Sequence, residues 1–292
     1  MNLQPTVPCW RPSPGNSLDP RVDAFRSDLA DAALRGRVDA ERYSEPIPVR
    51  CLAERSVVNS WRDYDAPAVS ELVTGEVFHV IERDTEWLWG WCGHDHYVGY
   101  VDADRFGNHR APTHRVVARV ALVFANANIK APLKSWLQLG SLVNVGDQSD
   151  EVFLGSDHGF IHRRHLDPAG KFADDPLEVA LRLVGTPYLW GGRTGEGIDC
   201  SGLIQVSLGL CGIASPRDCD QQMAALGNAV DPVEARRGDL VFFPGHVGIM
   251  TDSENLLHAN AFWMTTKVEP LADVVARLAP NYSQPISAVK RL

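Results

Sequence analysis

What the chain lacks narrows its class first. No Lys/Arg run of the kind that tracks a phosphate backbone occurs in its 292 residues, and 28 basic residues stand against 37 acidic ones, for a formal charge of −9. Nucleic acid and anionic membrane surfaces are therefore poor partners, while a small zwitterionic or acidic peptide is compatible. No window approaches the ~20 apolar residues of a membrane span. The start does not read as a secretory leader, because Pro5, Pro8, Pro12 and Pro14 interrupt it. CxxC spacing is absent among six scattered cysteines, Cys9, Cys51, Cys92, Cys200, Cys211 and Cys219. They read as reduced thiols rather than a disulfide framework, and the expected location is the cytoplasm.

What is present is ordinary for a soluble chain of two or three small domains: 45% apolar and 22% charged residues. Residues 1–18 are Pro-rich and are expected to form an extended arm. Asp19 and Pro20 suit a helix start, and Val22, Phe25, Leu29, Ala32 and Ala33 continue at helical spacing to about Arg35. Residues 1–43 are therefore read as an arm and a helix. From 44 to 110 short apolar runs alternate with Gly or Asp turns: Ile47–Cys51, Glu76–Glu82, Glu86–Trp91 and Tyr97–Asp102. Trp87, Trp89 and Trp91 alternate along one run and share one face, which is expected to pack in a core. A second β-rich stretch follows over 111–168, and its Gly159-Phe160-Ile161-His162 echoes Gly99-Tyr100-Val101-Asp102. Beyond a polar linker, residues 169–292 show helices (Pro176–Val184, Cys200–Leu210, Asp218–Leu226) and then strands (Asp239–Phe243, Val247–Thr251, Leu256–Ala259), an α+β order.

The chemistry gathers in this last segment. A glycine-rich loop leads into Cys200, which opens an apolar helix. A helix N-terminus carries partial positive charge and free N–H groups, so the thiolate is expected to be favoured there. His246, in Gly-His-Val-Gly-Ile-Met, and His258, in Leu-Leu-His-Ala, open neighbouring strands, so one ring can serve as base and the other can orient it. Cys92, His94 and His96 invite a zinc reading, but no fourth ligand stands at a recognisable spacing and the segment reads as a hairpin turn. No metal and no cofactor is implied.

The motifs D-C-S-G-L, G-D-L-V-F-F, H-V-G-I-M and L-H-A, in this order, resemble the NlpC/P60 family of cysteine peptidases. The Gly-Glu turn, Trp-rich strand and G-Y-V of residues 70–106 resemble a bacterial SH3-like domain. The resemblance implies a papain-like α+β catalytic domain preceded by two small SH3-like β-barrels, at 44–110 and 111–168. Together with Pro216-Arg217-Asp218 it points to γ-D-glutamyl-L-diamino acid endopeptidases of murein-peptide recycling, whose substrates are tri- and tetrapeptides with a free N-terminal L-Ala. Carried over by motif, Cys200, His246 and His258 form the triad, and Tyr188 contributes to the oxyanion hole. Asp218 binds the substrate amine, Ser201 and Cys219 lie in the substrate subsite, and Tyr97 and Glu76 of the first SH3-like domain close it. Cys219 departs from the pattern, which has Ser at that position. An amidase or acyltransferase of the same superfamily, or a non-catalytic peptide-binding protein, are the alternatives.

Overall fold

The first half of the chain is built of short antiparallel strands, and the reason lies in where its large apolar side chains alternate. The computed structural model describes residues 8–12, 17–108 and 111–292, so most of the proposed N-terminal arm lies outside the described residues. The chain divides into two units, Met1–Lys171 and Phe172–Leu292. Among the described residues no helix is long and apolar enough to cross a membrane.

The first unit begins with a short parallel pair, β1 (Leu29–Asp31) and β2 (Arg42–Ser44). Strands β3 (Ile47–Cys51), β4 (Arg55–Asn59), β5 (Ala68–Val73), β6 (Val77–Arg83), β7 (Trp87–Cys92), β8 (Val98–Asp102) and β9 (Phe106–Gly107) form one seven-stranded sheet in the order β5-β4-β8-β7-β6-β3-β9. Its inward residues, among them Val49, Val58, Leu72, Phe78, Leu88, Val101 and Phe106, share one core. The sheet thus curls around Phe78, helped by bulges at Val58/Asn59 and Val80/Glu82. The expected small barrel is not clearly formed among the described residues: the strands make one curled sheet with β5 and β9 at its ends.

The helix expected over residues 19–35 is also absent. One turn forms, with the amides of Val22 and Asp23 on the Asp19 carbonyl, and polar side chains then compete for the backbone. The Asp19 carboxylate takes the Arg21 amide, and the Asp23 carboxylate takes the Asp19 amide. The chain bends back so that Ala24 and Leu29 pack against Ile81 and Trp89. That contact also places the tryptophans. They face away from the Phe78 core, Trp89 under Leu29 and Trp91 between the rings of His79 (3.8 Å) and His96 (4.0 Å).

The second module comprises β10 (His114–Val116), β11 (Val120–Phe124), β12 (Leu133–Gln138), β13 (Leu142–Val143), β14 (Val145–Ser149), β15 (Phe153–Ser156), β16 (Phe160–His162) and β17 (Leu166–Pro168). They form a five-stranded and a three-stranded sheet around Val116, Val123, Leu137, Ile161 and Leu166, again without a closed barrel. The internal echo has a structural counterpart. After β8, Asp102 caps a 3-10 turn by accepting from the Asp104 amide, and after β16 His162 does the same for Arg164. Each turn ends in a buried apolar residue, Phe106 or Leu166.

The second unit contains α1 (Pro176–Leu181), α2 (Cys200–Leu210), α3 (Cys219–Ala225), β18 (Asn228–Val230), β19 (Leu240–Phe243), β20 (His246–Met250), β21 (Asn255–Asn260), β22 (Thr265–Pro270), α4 (Leu271–Leu278) and β23 (Ala288–Arg291). Its six strands are antiparallel in the order β18-β23-β19-β20-β21-β22. Helix α2 is buried along nearly its whole length and packs on β20 and β21. Helix α4 covers the face carrying Val241, Phe243, Met250, Leu256 and Val289.

Gly75 gives a direct test of the first unit. Its φ is +82°, and an added Cβ would lie 2.3 Å from the Leu142 carbonyl oxygen, beside the Thr74 carbonyl that accepts the Leu142 amide. Gly75→Ala is expected to destabilise this unit by about 1–3 kcal/mol, read as a lowered urea midpoint; an unchanged midpoint would contradict the packing.

Candidate active site

Asp199 prepares the ground for Cys200. It is the N-cap of α2, and its carboxylate accepts the Gly202 amide at 2.7 Å and the Gly191 amide at 2.9 Å. Arg217, 1% exposed, clamps the same carboxylate with Nη1–Oδ1 at 3.0 Å and Nη2–Oδ2 at 2.6 Å. The loop before the cysteine, the helix after it and the segment leading to α3 are thereby tied to one buried ion pair. Sequence reasoning missed both roles. Ser201, expected at the substrate, has its hydroxyl 2.9 Å from Arg217 Nη1 and is buried in this cluster.

The Cys200 thiol is buried and faces the backbone amides of Val247 and Ser201. Val247 follows His246, so the strand that opens on His246 runs past the start of α2. Burial pushes the thiol up to about 12, and the negative charge of Asp199 adds to this. Burial likewise brings His246 down to about 3, with His258 contributing. Burial and the Asp199 charge both act against the thiolate expected from the helix N-terminus. Desolvation and the capping carboxylate favour the neutral thiol, and desolvation favours the neutral imidazole.

The ring nitrogens of the two histidines meet. His246 Nε2 lies 2.8 Å from His258 Nδ1. They are not directly opposed across the ladder, in which Ile249 pairs with Leu257 and Met250 with Leu256. The rings lie beyond those pairs, on the parity of Met250 and Leu256, and so share a face. His258 is fully buried, and its Nε2 is 2.8 Å from Glu269 Oε1. Glu269, on β22, also takes Trp263 Nε1 at 3.0 Å and Arg277 Nη2 at 2.7 Å, and Arg277 lies over the Phe262 ring. Burial opposes its ionisation, but Arg277, Trp263 and His258 outweigh it and hold the carboxyl down at about 2. Sequence reasoning missed Glu269, Asn260 and Arg277. The signal for α4 was present in Leu271, Val274, Val275 and Leu278; nothing local marked Glu269.

The remaining expected residues separate into two groups. Tyr188 is half-buried; its phenol is pushed up by burial, then by Cys200 and Asp199, so it stays a donor beside the nucleophile. Cys219 opens α3 and is among the groups that shift both Cys200 and Tyr188. Asp218 caps α3 in a capping box with Gln221. Glu76 and Tyr97 belong to the first unit. There the Glu76 carboxylate accepts the Val73 amide at 2.9 Å, and Tyr97 is part of the Phe78 core. Cys92 is also in that core, and His96 stacks on Trp91.

Two measurements test this electrostatic account. Arg217→Met leaves Asp199 buried without its counter-charge and is expected to cost about 3–5 kcal/mol of stability, read as a collapse of the unfolding midpoint; a loss below about 1 kcal/mol contradicts the clamp. The thiol's raised pKa keeps it protonated through neutral pH. The 240 nm absorbance of the protein minus that of Cys200→Ala should stay flat there and rise only toward about 12. A step below pH 6 would instead reveal a resting thiolate–imidazolium pair.

Residues 185–275 match the NlpC/P60 family, and residues 63–105 match the bacterial dipeptidyl-peptidase Sh3 domain. A gamma-D-glutamyl-L-lysine dipeptidyl-peptidase of Bacillus cereus is 28% identical over 149 residues, covering 48% of this chain and 43% of that protein, less than half its length. A probable endopeptidase NlpC homolog of Haemophilus influenzae is 40% identical over 129 residues, covering 42% of this chain and 67% of that protein. The crystal structure of a Bacillus cereus NlpC/P60 family protein superposes with a TM-score of 0.71 at 17% identity, covering 84% of this chain and 99% of that one, which shows a shared fold. With its motifs, its fold and two thirds of the Haemophilus influenzae relative accounted for, this chain belongs to the NlpC/P60 family.

Proposed function

We propose that this protein is a cysteine endopeptidase that hydrolyses the γ-D-Glu–diamino acid bond of free murein tri- and tetrapeptides with an N-terminal L-Ala. The observation that carries the proposal is the hydrogen-bonded pair His246–His258, 2.8 Å apart, on strands against which the helix opened by the buried Cys200 packs. The relative named gamma-D-glutamyl-L-lysine dipeptidyl-peptidase supports the substrate class.

In this reading His246 takes the Cys200 proton as the sulfur attacks the γ-carbonyl carbon. The carbonyl oxygen gains negative charge, and the Tyr188 hydroxyl with the Cys200 backbone N–H stabilises it. Collapse breaks the C–N bond, and the imidazolium gives its proton to the leaving amine. A water deprotonated by His246 then attacks the thioester, which releases the dipeptide carboxylate and returns the thiol. In this reading burial favours a neutral pair, so that proton transfer accompanies attack. The carboxylate of Asp218 receives the substrate's free α-ammonium, whose desolvation would otherwise be uncompensated.

Mass spectrometry of digests tests this. L-Ala-γ-D-Glu-diamino acid peptides should yield L-Ala-γ-D-Glu, an acetylated N-terminus should slow cleavage by about tenfold or more, and Cys200→Ala should abolish it. Equal cleavage of intact sacculi and free peptides would sink the substrate reading, and turnover by Cys200→Ala would sink the chemistry.

A further inference from the structure

We infer that Glu269 is a positioning residue that sets the tautomer of both histidines, and that Asn260 competes with it for the same ring nitrogen. The inference rests on the cysteine-peptidase reading for the role of His246, but not on the identity of the substrate.

The donors and acceptors around His258 fix where its proton lies. Asn260 Oδ1 accepts the backbone amides of Phe262 at 2.6 Å and Trp263 at 3.1 Å. A backbone N–H can only donate, so the other branch of Asn260 is its amide NH2. The indole of Trp263 and the guanidinium of Arg277 can also only donate. Trp263 Nε1 and Arg277 Nη2 reach Glu269 Oε2, while Arg277 Nη1 and Asn260 Nδ2, each at 3.2 Å, reach Oε1. Glu269 is therefore a carboxylate surrounded by donors.

His258 Nε2 sits 2.8 Å from Oε1 and 3.0 Å from Asn260 Nδ2. A bare nitrogen facing a carboxylate would set lone pair against lone pair, so Nε2 carries the proton. In a neutral ring this leaves Nδ1 bare, and Nδ1 accepts from His246 Nε2 at 2.8 Å. His246 then holds its proton on Nε2 and keeps Nδ1 bare, the one nitrogen left to receive the proton of Cys200. If the carboxylate is removed, the order reverses. Asn260 donates to a bare His258 Nε2, the His258 proton moves to Nδ1, and His246 Nε2 becomes the acceptor. The His246 proton is then on Nδ1, and the base is blocked. Glu269 and Asn260 are thus opposing settings of one two-state relay, with the carboxylate holding the productive one.

The test uses the whole protein. Nitrogen-15 NMR of the resting imidazoles should show protons on Nε2 of both His246 and His258. In Glu269→Leu both should move to Nδ1. Alkylation of Cys200 by iodoacetamide and kcat should then fall about 10- to 100-fold with KM within about twofold. That loss is smaller than the ~10⁴ of a triad carboxylate directly on the base, because Glu269 acts one ring further away. Adding Asn260→Asp to Glu269→Leu puts a carboxylate back on His258 Nε2 and should restore the tautomer and most of the alkylation rate, which a merely structural role for Glu269 would not allow. Protons on Nδ1 in the unmutated protein, readable even if Glu269→Leu fails to fold, would overturn the inference, as would a Glu269→Leu protein that keeps its tautomers and its alkylation rate. Correct tautomers and reactive Cys200 with no cleavage of the murein peptides would sink the substrate proposal and leave this one standing.

Discussion

The carboxylate of Asp199 is the constraint on which the catalytic geometry depends. It closes the first turn of α2, holds the Gly191 amide of the incoming loop and receives both terminal nitrogens of the buried Arg217. Each of these ties fixes a different stretch of backbone around Cys200. Burying the pair has a desolvation cost that the Coulomb attraction offsets only because the geometry is bidentate and the remaining lone pairs are used. The result is positional: the sulfur can neither rotate out with a fraying helix end nor follow a moving glycine loop.

The same carboxylate works against the reactive form of the thiol. A cap one residue before the nucleophile places a negative charge beside the sulfur, and burial adds to it, so the thiol is held up at about 12. A helix N-terminus contributes a few tenths of a kcal/mol to about 2 kcal/mol to an adjacent anion, and it acts here against both burial and the Asp199 charge. The site accepts a poor resting nucleophile in return for fixed geometry. That choice shifts the burden of activation to the base, and through it to the hydrogen-bond order of the histidine relay.

How much of this was legible in the sequence follows from the range of each cause. The start and end of α2 could be read to the residue, because Asp199, the glycine loop and the apolar run from Cys200 to Leu210 are contiguous. Strand Ile47–Cys51 was equally local. The helix expected over residues 19–35 failed because the burial of Leu29 and Ala24 against Trp89 and Ile81 is a tertiary event that spacing does not encode. The tryptophans were read correctly as sharing one face, but two apolar surfaces were available, and the face chosen depends on that same N-terminal segment. Barrel closure depends on which edge strands meet, and no single strand carries that information. Glu269 was invisible for the same reason: it reaches His258 diagonally across the β21–β22 ladder, and its partner Arg277 arrives from α4.

The two halves of the site share one electrostatic device. Cys200 is backed by Asp199 and Arg217; His246 and His258 are backed by Glu269 and Arg277. In each case an arginine compensates a buried carboxylate, which reduces the field that the carboxylate projects onto the reacting groups. Had either carboxylate been unpaired, its charge would have dominated nearby titration: Glu269 would have drawn a second proton onto the histidines, and Asp199 would have opposed the thiolate more strongly still. With each charge reduced by pairing, what distinguishes the two carboxylates is direction, namely which N–H each receives. Asp199 uses direction to fix backbone, and Glu269 uses it to fix protons. Reactivity in this site is accordingly set less by the amount of charge near Cys200 than by the order of donors and acceptors leading away from His246.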